Sequence, residues 1–199
     1  MNPTWNNMKM EKLIYLAGVS LISGIAVKIS RLLTANKRSV AVNEVLLYGE
    51  GEENRRKELG LNNLFCIYYV LTHASSTVDV CIPSLDSDTI SKCLIKIHQI
   101  NKIKVRIVVH KNPVSNVKAL LDCGIEVKVM NKSEVLLEHE FILVDAVGDC
   151  EEALVIIGSL DYEVKRVNCN SDSTILTSEN EIVYTFKREF DRIWNSDVQ

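Results

Sequence analysis

The chain has 199 residues, 47% of them hydrophobic and 25% charged, with only eight glycines and three prolines. That composition excludes collagen-like, mucin-like and broadly disordered chains, and the length suits one folded domain with a short appendage. Charge is split unevenly: residues 1–40 hold six basic side chains and one acid, a net of +5, while residues 41–199 hold 17 basic against 25 acidic, a net of −8. An acidic domain of this kind is a poor generic binder of polyanions.

The first predicted element is residues 13–27, fifteen residues without a charge (LIYLAGVSLISGIAV). Continued to Leu33 past Lys28 and Arg31, the run reaches roughly 30 Å as a helix if the basic side chains snorkel. Three readings compete for it: a cleaved signal peptide, a buried core helix and a signal anchor. The basic flank of Lys28, Arg31, Lys37 and Arg38 favours the anchor and places the following domain on the cytosolic side. Domain boundaries follow: a transmembrane anchor (about 13–33) and basic linker in 1–40, then a single domain over 41–199. Cysteine usage agrees with a reducing compartment, since Cys66, Cys81, Cys93, Cys123, Cys150 and Cys169 are scattered singly with no C-x-x-C pair.

Beyond the linker, apolar runs alternate with helical periodicity. Residues 42–48 read as a strand, and 59–72 as a helix with Leu61, Leu64, Phe65, Tyr68 and Leu71 on one face. A strand at 78–82 precedes a helix capped by Asp86 and running to Ile100, and 104–109 is a β-branched strand. Residues 113–123 form a helix that Gly124 ends where a left-handed residue is needed. Strands follow at 125–130, 141–144, 153–157 and 174–177. An amphipathic helix closes the chain over 179–194, using Ile182, Val183, Phe186, Phe190 and Ile193. Continuous rather than alternating apolar strands predict an α/β domain with a mostly parallel or mixed sheet covered by helices on both faces.

Generic motifs are missing: the chain has no G-x-G-x-x-G, Walker, H-E-x-x-H or G-x-S-x-G sequence. A late succession stands out instead: Glu138-His139-Glu140 leading to Asp145, then Gly158-Ser159-Leu160-Asp161, then Asn170-Ser171-Asp172-Ser173, and a closing Phe190-Asp191-Arg192-Ile193-Trp194. Its order and spacing resemble the phospholipase D superfamily, in the branch of mitochondrial cardiolipin hydrolase and the Zucchini endonuclease. There the pattern is H-x-K-x4-D, G-S-x-N, an N-R-E-N-like turn and an F-x-R-I-W helix. The resemblance covers roughly residues 42–196. It implies a single phospholipase D-like domain behind an N-terminal anchor, no cofactor, and a mitochondrial outer membrane location facing the cytosol. It also implies a homodimer, or a heterodimer with an active relative, and a phospholipid or single-stranded RNA ligand.

In that family two motifs face each other across a dimer cleft. One histidine attacks phosphorus, the other protonates the leaving oxygen, and the lysines hold the added charge. The catalytic residues do not carry over. With Asp145 fixed as the motif aspartate, Glu138 stands at the histidine position and Glu140 at the lysine position. Ser159 is kept, while Asp161 replaces the family's asparagine and Asp172 its later glutamate. A link longer than the family's, with Gly148-Asp149-Cys150-Glu151-Glu152 as an inserted turn, joins Asp145 to Gly158. The family's Cys/His zinc insert has no counterpart in residues 49–57. Replacing a lysine by Glu140 turns an attraction of roughly 4 kcal/mol at about 4 Å into a repulsion of similar size. The expectation is therefore a degenerate enzyme acting as a binding or dimerisation partner. Rival readings are an active phosphodiesterase with a rearranged site and a nucleic-acid-binding module.

If the fold is that of the family, Glu138, Glu140, Asp145, Asp161 and Asp172 converge, either to hold a hard cation such as Mg²⁺ or Ca²⁺ or as a decayed, solvated site. His139, on the strand face opposite Glu138 and Glu140, reads as structural. Cys81 and Cys93 read as core residues. His110-Lys111 at a strand end and Arg55-Arg56-Lys57 read as surface loops.

Overall fold

The computed structural model describes residues 41–48, 52–85, 87–110, 114–130, 136–148, 152–158 and 172–196. The expected anchor and linker, together with Ser159 and Asp161, lie outside them, as does the side chain of Asp172. Among the described residues no helix is long and apolar enough to cross a membrane.

In chain order the elements are β1 (Asn43–Tyr48), α1 (Glu53–Thr72), β2 (Thr77–Ile82), α2 (Asp88–Ile100), β3 (Lys104–Val109), α3 (Val114–Asp122), β4 (Glu126–Val129), β5 (Phe141–Val144), β6 (Leu154–Gly158), β7 (Asp172–Thr177) and α4 (Asn180–Asn195). The strands form one sheet in the order β1-β7-β6-β5-β2-β3-β4. β2, β3 and β4 run parallel, joined by helical crossovers, and every other pairing is antiparallel. The sheet is mixed, as expected.

Strand alternation sends Val78, Val80 and Ile82 toward α1, α2 and α3, where they join Ile67, Leu71, Leu94, Ile97 and Leu120 in the larger core cluster. The intervening Cys81 joins Phe141, Leu143, Val155, Phe190 and Ile193 in a second cluster beneath α4. The strands that are buried on both faces carry the continuous aliphatic runs seen in sequence.

Several boundaries move. α1 begins at Glu53, so Arg55, Arg56 and Lys57 belong to its first turns rather than to a loop. Their strong helix propensity, and that of Glu53, Glu58 and Leu59, outweighs the single Gly60. Phe65, expected on the buried face, is exposed. Ser87, not Asp86, caps α2, its hydroxyl accepting from the Ile90 amide at 3.3 Å. Ile182 on α4 is exposed as well, because only Val183, Phe190 and Ile193 of that helix reach full burial. Gly124 does end α3: at φ +84° its amide donates to Leu121 and the Ile125 amide to Leu120, which satisfies the last carbonyls.

Candidate functional site

The C-terminal ends of β1, β2, β3, β4 and β6 and the N-terminal ends of β5 and β7 share one edge of the sheet, as the pairing registers require. In open α/β sheets ligands bind outside the carboxyl ends of the parallel strands, and that is this edge. Glu138 and Glu140 stand at the entry to β5 there, Glu138 exposed and Glu140 half-buried. The Glu140 carbonyl accepts from the Gly158 amide at 2.9 Å, which fixes the end of β6 beside it. Gly158 sits at φ +120°, and a Cβ on it would lie 2.4 Å from the Ser173 carbonyl oxygen. Only glycine lets β7 approach this closely. Asp172, at the start of β7, pairs with Tyr48 of β1 at the same edge. Glu138, Glu140 and the backbone of Asp172 are thus brought to one edge.

Asp145 is not among them, which corrects the expected convergence of all five acids. It follows β5 at the opposite edge, five residues and so roughly 16 Å of extended chain from Glu140. There it takes φ +54°, a left-handed conformation that aspartate tolerates better than most residues. Its carboxylate accepts from the amides of Ser75, Ser76 and Thr77 at 2.8, 2.7 and 3.1 Å and from the Ser76 hydroxyl at 2.9 Å. Its own amide donates to the Thr77 carbonyl at 2.8 Å. The aspartate position of the motif therefore binds the turn between α1 and β2, at the edge opposite Glu140. The physical reason is the four-residue length of β5, which separates the two halves of the motif along an extended strand.

His139 lies across the strand from Glu140. Its Nε2 pairs with Glu189 Oε1 at 3.1 Å and its ring meets Phe141 edge-on, so it ties the entry of β5 to α4. Glu189 is itself held by Arg192, through Nε at 2.8 Å and Nη2 at 2.7 Å. The Arg192 hydrogen bond, with the Arg192 charge and His139, holds the Glu189 carboxyl below the usual carboxylate range against the opposing effect of burial.

A second polar connection docks α4 farther along the sheet. Asp79 of β2 is buried and receives Arg106 of β3 bidentately, Nε to Oδ1 at 2.8 Å and Nη2 to Oδ2 at 2.6 Å. The guanidinium lies over the rings of Phe190 and Trp194, 4.9 and 5.3 Å from their centroids. Burial alone would lower the Arg106 pKa. The Asp79 bond and the charges of Asp79, Asp191 and Glu126 reverse that, so the side chain stays cationic. Lys128 of β4 closes the same helix, donating to the carbonyls of Ile193, Trp194 and Ser196 at 2.8, 2.9 and 2.5 Å. Sequence reading missed these residues. The available signal was an aspartate inside an aliphatic strand, Asp79, matched by Arg106 at the facing position of the next parallel strand.

Burial pushes the Cys81 thiol up to about 12, with the charge of Glu189 adding to the effect, and the Cys93 thiol up to about 11 despite Lys96. Both are core groups, as expected, and neither supplies a thiolate nucleophile. His110 ends β3 at the same edge as Glu140. It is half-buried, and its Nδ1 is enclosed without a hydrogen-bond partner. Among the described residues no three His, Cys, Asp or Glu side chains gather closely enough to hold a metal ion.

The fold has counterparts among known proteins. The family model described as "Cardiolipin synthase, PLD-like domain" matches residues 67–194. The chain belongs to this phospholipase D-like family. It is similar to the mitochondrial cardiolipin hydrolase of Danio rerio, 29% identical over 130 residues that cover 63% of this chain and 54% of that protein. It is also similar to the human protein of the same name, 26% identical over 128 residues, 62% of this chain and 48% of that one. The chain thus spans about half the length of the curated relatives it matches. Among solved structures, NucT from Helicobacter pylori superposes with a TM-score of 0.62 at 16% identity, covering 78% of this chain and 97% of that one. Nuc from Salmonella typhimurium, a phospholipase D family member, gives 0.60 at 16% identity, with 78% and 95% covered. These likenesses show the fold.

Proposed function

We propose that this chain is a catalytically degenerate phospholipase D-like protein that acts as a binding or dimerisation partner, anchored by its N-terminal apolar segment in a mitochondrial membrane. The observation that carries the reading is the charge of the β5 entry. Glu138 and Glu140 stand where the family places its histidine and lysine, and a phosphodiester meets repulsion where a relative offers cations. His139 does not substitute, because it is committed to Glu189 on the other face of the strand. Two copies, or one copy beside an active relative, would meet at the motif-bearing edge. The names of the curated relatives support the mitochondrial setting. The test is hydrolysis of a synthetic phosphodiester, single-stranded RNA and cardiolipin by the full chain in detergent. No turnover above that of a Glu138→Ala/Glu140→Ala variant is expected. Turnover well above it would overturn the reading.

One observation favours a second reading, an active phosphodiesterase with a rearranged site: His110 brings an imidazole with an enclosed, unpartnered Nδ1 to the same edge. That reading requires hydrolysis by the wild-type chain that is abolished by His110→Gln.

A further inference from the structure

The two faces of the sheet are covered unequally. Phe141, Ile157, Ile175 and Val45 occupy one row across β5, β6, β7 and β1, residue opposite residue, on the α4 side. Phe141 is fully buried beneath α4, its ring 4.9 Å from that of Phe186, and Ile157 is half-buried. Ile175 is 41% exposed and Val45 60%, with Leu47 beside it at 58% and Ile182 on the helix at 40%. α4 covers β5 and β6, and the apolar row continues beyond it into solvent. Among the described residues nothing covers the β7–β1 part of this face, which is two strands wide, roughly 10 Å, the diameter of one helix with its side chains. Its exposed alternating residues, Asn43, Val45, Leu47, Ser173 and Ile175, include no ionisable group, and Thr177 at its end is buried. Contiguous exposed apolar surface of this kind on a folded domain marks an interaction site.

We propose that this face, the apolar shelf formed by Val45, Leu47 and Ile175 beside α4, docks an amphipathic helix of a partner protein whose polar face is basic. The geometry sets the helix, since a second helix alongside α4 completes the layer as α1, α2 and α3 complete the opposite one. Charge sets its composition. Residues 41–199 carry −8, and at the rim of the strip the exposed Glu179 carboxylate accepts from Asn43 Nδ2 at 3.2 Å, so a cationic helix is attracted to the acidic body as its apolar side enters the strip. The inference does not depend on whether the motif-bearing edge has any catalytic activity.

The probe is a synthetic helical peptide of about 18 residues with leucine along one face and lysine on the other, titrated into the full chain in detergent. A peptide of the same pattern with glutamate for lysine is the control. The lysine peptide is expected to bind with an affinity that weakens as salt is raised, and the glutamate peptide to bind at least about tenfold more weakly. The triple variant Val45→Thr/Leu47→Thr/Ile175→Thr keeps strand propensity and charge, and it should lose about tenfold in affinity for the lysine peptide while its thermal midpoint stays within a few degrees. Equal binding of the two peptides would overturn the proposal. So would undiminished binding to a folded triple variant. A concentration-dependent dimer abolished by the same triple substitution would also overturn it, because a second copy would then be the occupant.

Discussion

Asp145 and Ser76 are joined twice: the amide and the hydroxyl of Ser76 both donate to the same Asp145 carboxylate oxygen, at 2.7 and 2.9 Å. With the Ser75 and Thr77 amides, the carboxylate meets donors only, so a negative charge with free lone pairs is what this turn requires. Asp145→Asn keeps the shape but turns an NH₂ group toward those donors. We expect a loss of about 2–3 kcal/mol, read as a lower urea midpoint at unchanged slope. Because Asp145 stands at the far edge, the same variant leaves ligand binding at the Glu140 edge unchanged in whatever fraction remains folded.

The Asp79–Arg106 pair gives a sharper contrast. Asp79→Ala strands a cationic guanidinium under Phe190 and Trp194 and is expected to cost about 3–5 kcal/mol. The double variant Asp79→Val/Arg106→Met removes both charges at similar volume and should recover most of that loss. Chemical denaturation of the three proteins measures it.

Lys128 binds the last turn of α4. Lys128→Met should cost about 1–2 kcal/mol, and its signature is local: faster amide exchange toward the C-terminus of α4, with β2 and β3 still protected.

Glu189 links stability to acidity. Its folded carboxyl lies below the ordinary range, so it contributes stability above the unfolded value of about 4.3 and loses it as pH falls through the lower folded value. Arg192 is mostly exposed, and screening limits the contribution to at most about 1 kcal/mol. The stability gap between wild type and Glu189→Gln should be full at pH 7 and should close as the pH falls below about 4.

Reversing the sign at the β5 entry tests the electrostatics of the edge itself. Glu140→Lys, alone and with Glu138→His, exchanges repulsion of an anion for attraction, roughly 4 kcal/mol of each sign at contact. A thermal shift in millimolar phosphate is expected for the variants and none for the wild type.

Much of the architecture was legible because the strands announce themselves. The aliphatic runs Val78–Ile82 and Lys104–Val109 and the Gly124 stop each correspond to a single structure, and the motif order carried the family. The start of α1 is hidden in the sequence because Arg55, Arg56 and Lys57 look like a solvated loop when helix propensity is set aside. Phe65 and Ile182 show that a helical period identifies a face without saying how wide the covered stripe is. The site was legible as chemistry but not as geometry. Reading Asp145 as a partner of Glu140 treats five residues of sequence as nearness, whereas an extended strand carries the two to opposite edges. Asp79 and Arg106, 27 residues apart, become neighbours only through the parallel register.

The pairing of β1 with β7 fixes the order in which the domain is completed. Val42 and Ser178 exchange hydrogen bonds across 136 positions, the Val42 amide to the Ser178 hydroxyl at 2.8 Å and the Ser178 amide to the Val42 carbonyl at 2.9 Å. During synthesis β1 leaves the ribosome first among the strands and must wait for the last of them before its backbone finds a mate. A nascent chain halted before residue 172 therefore displays an aliphatic ribbon, and it is in that interval that chaperone protection matters most.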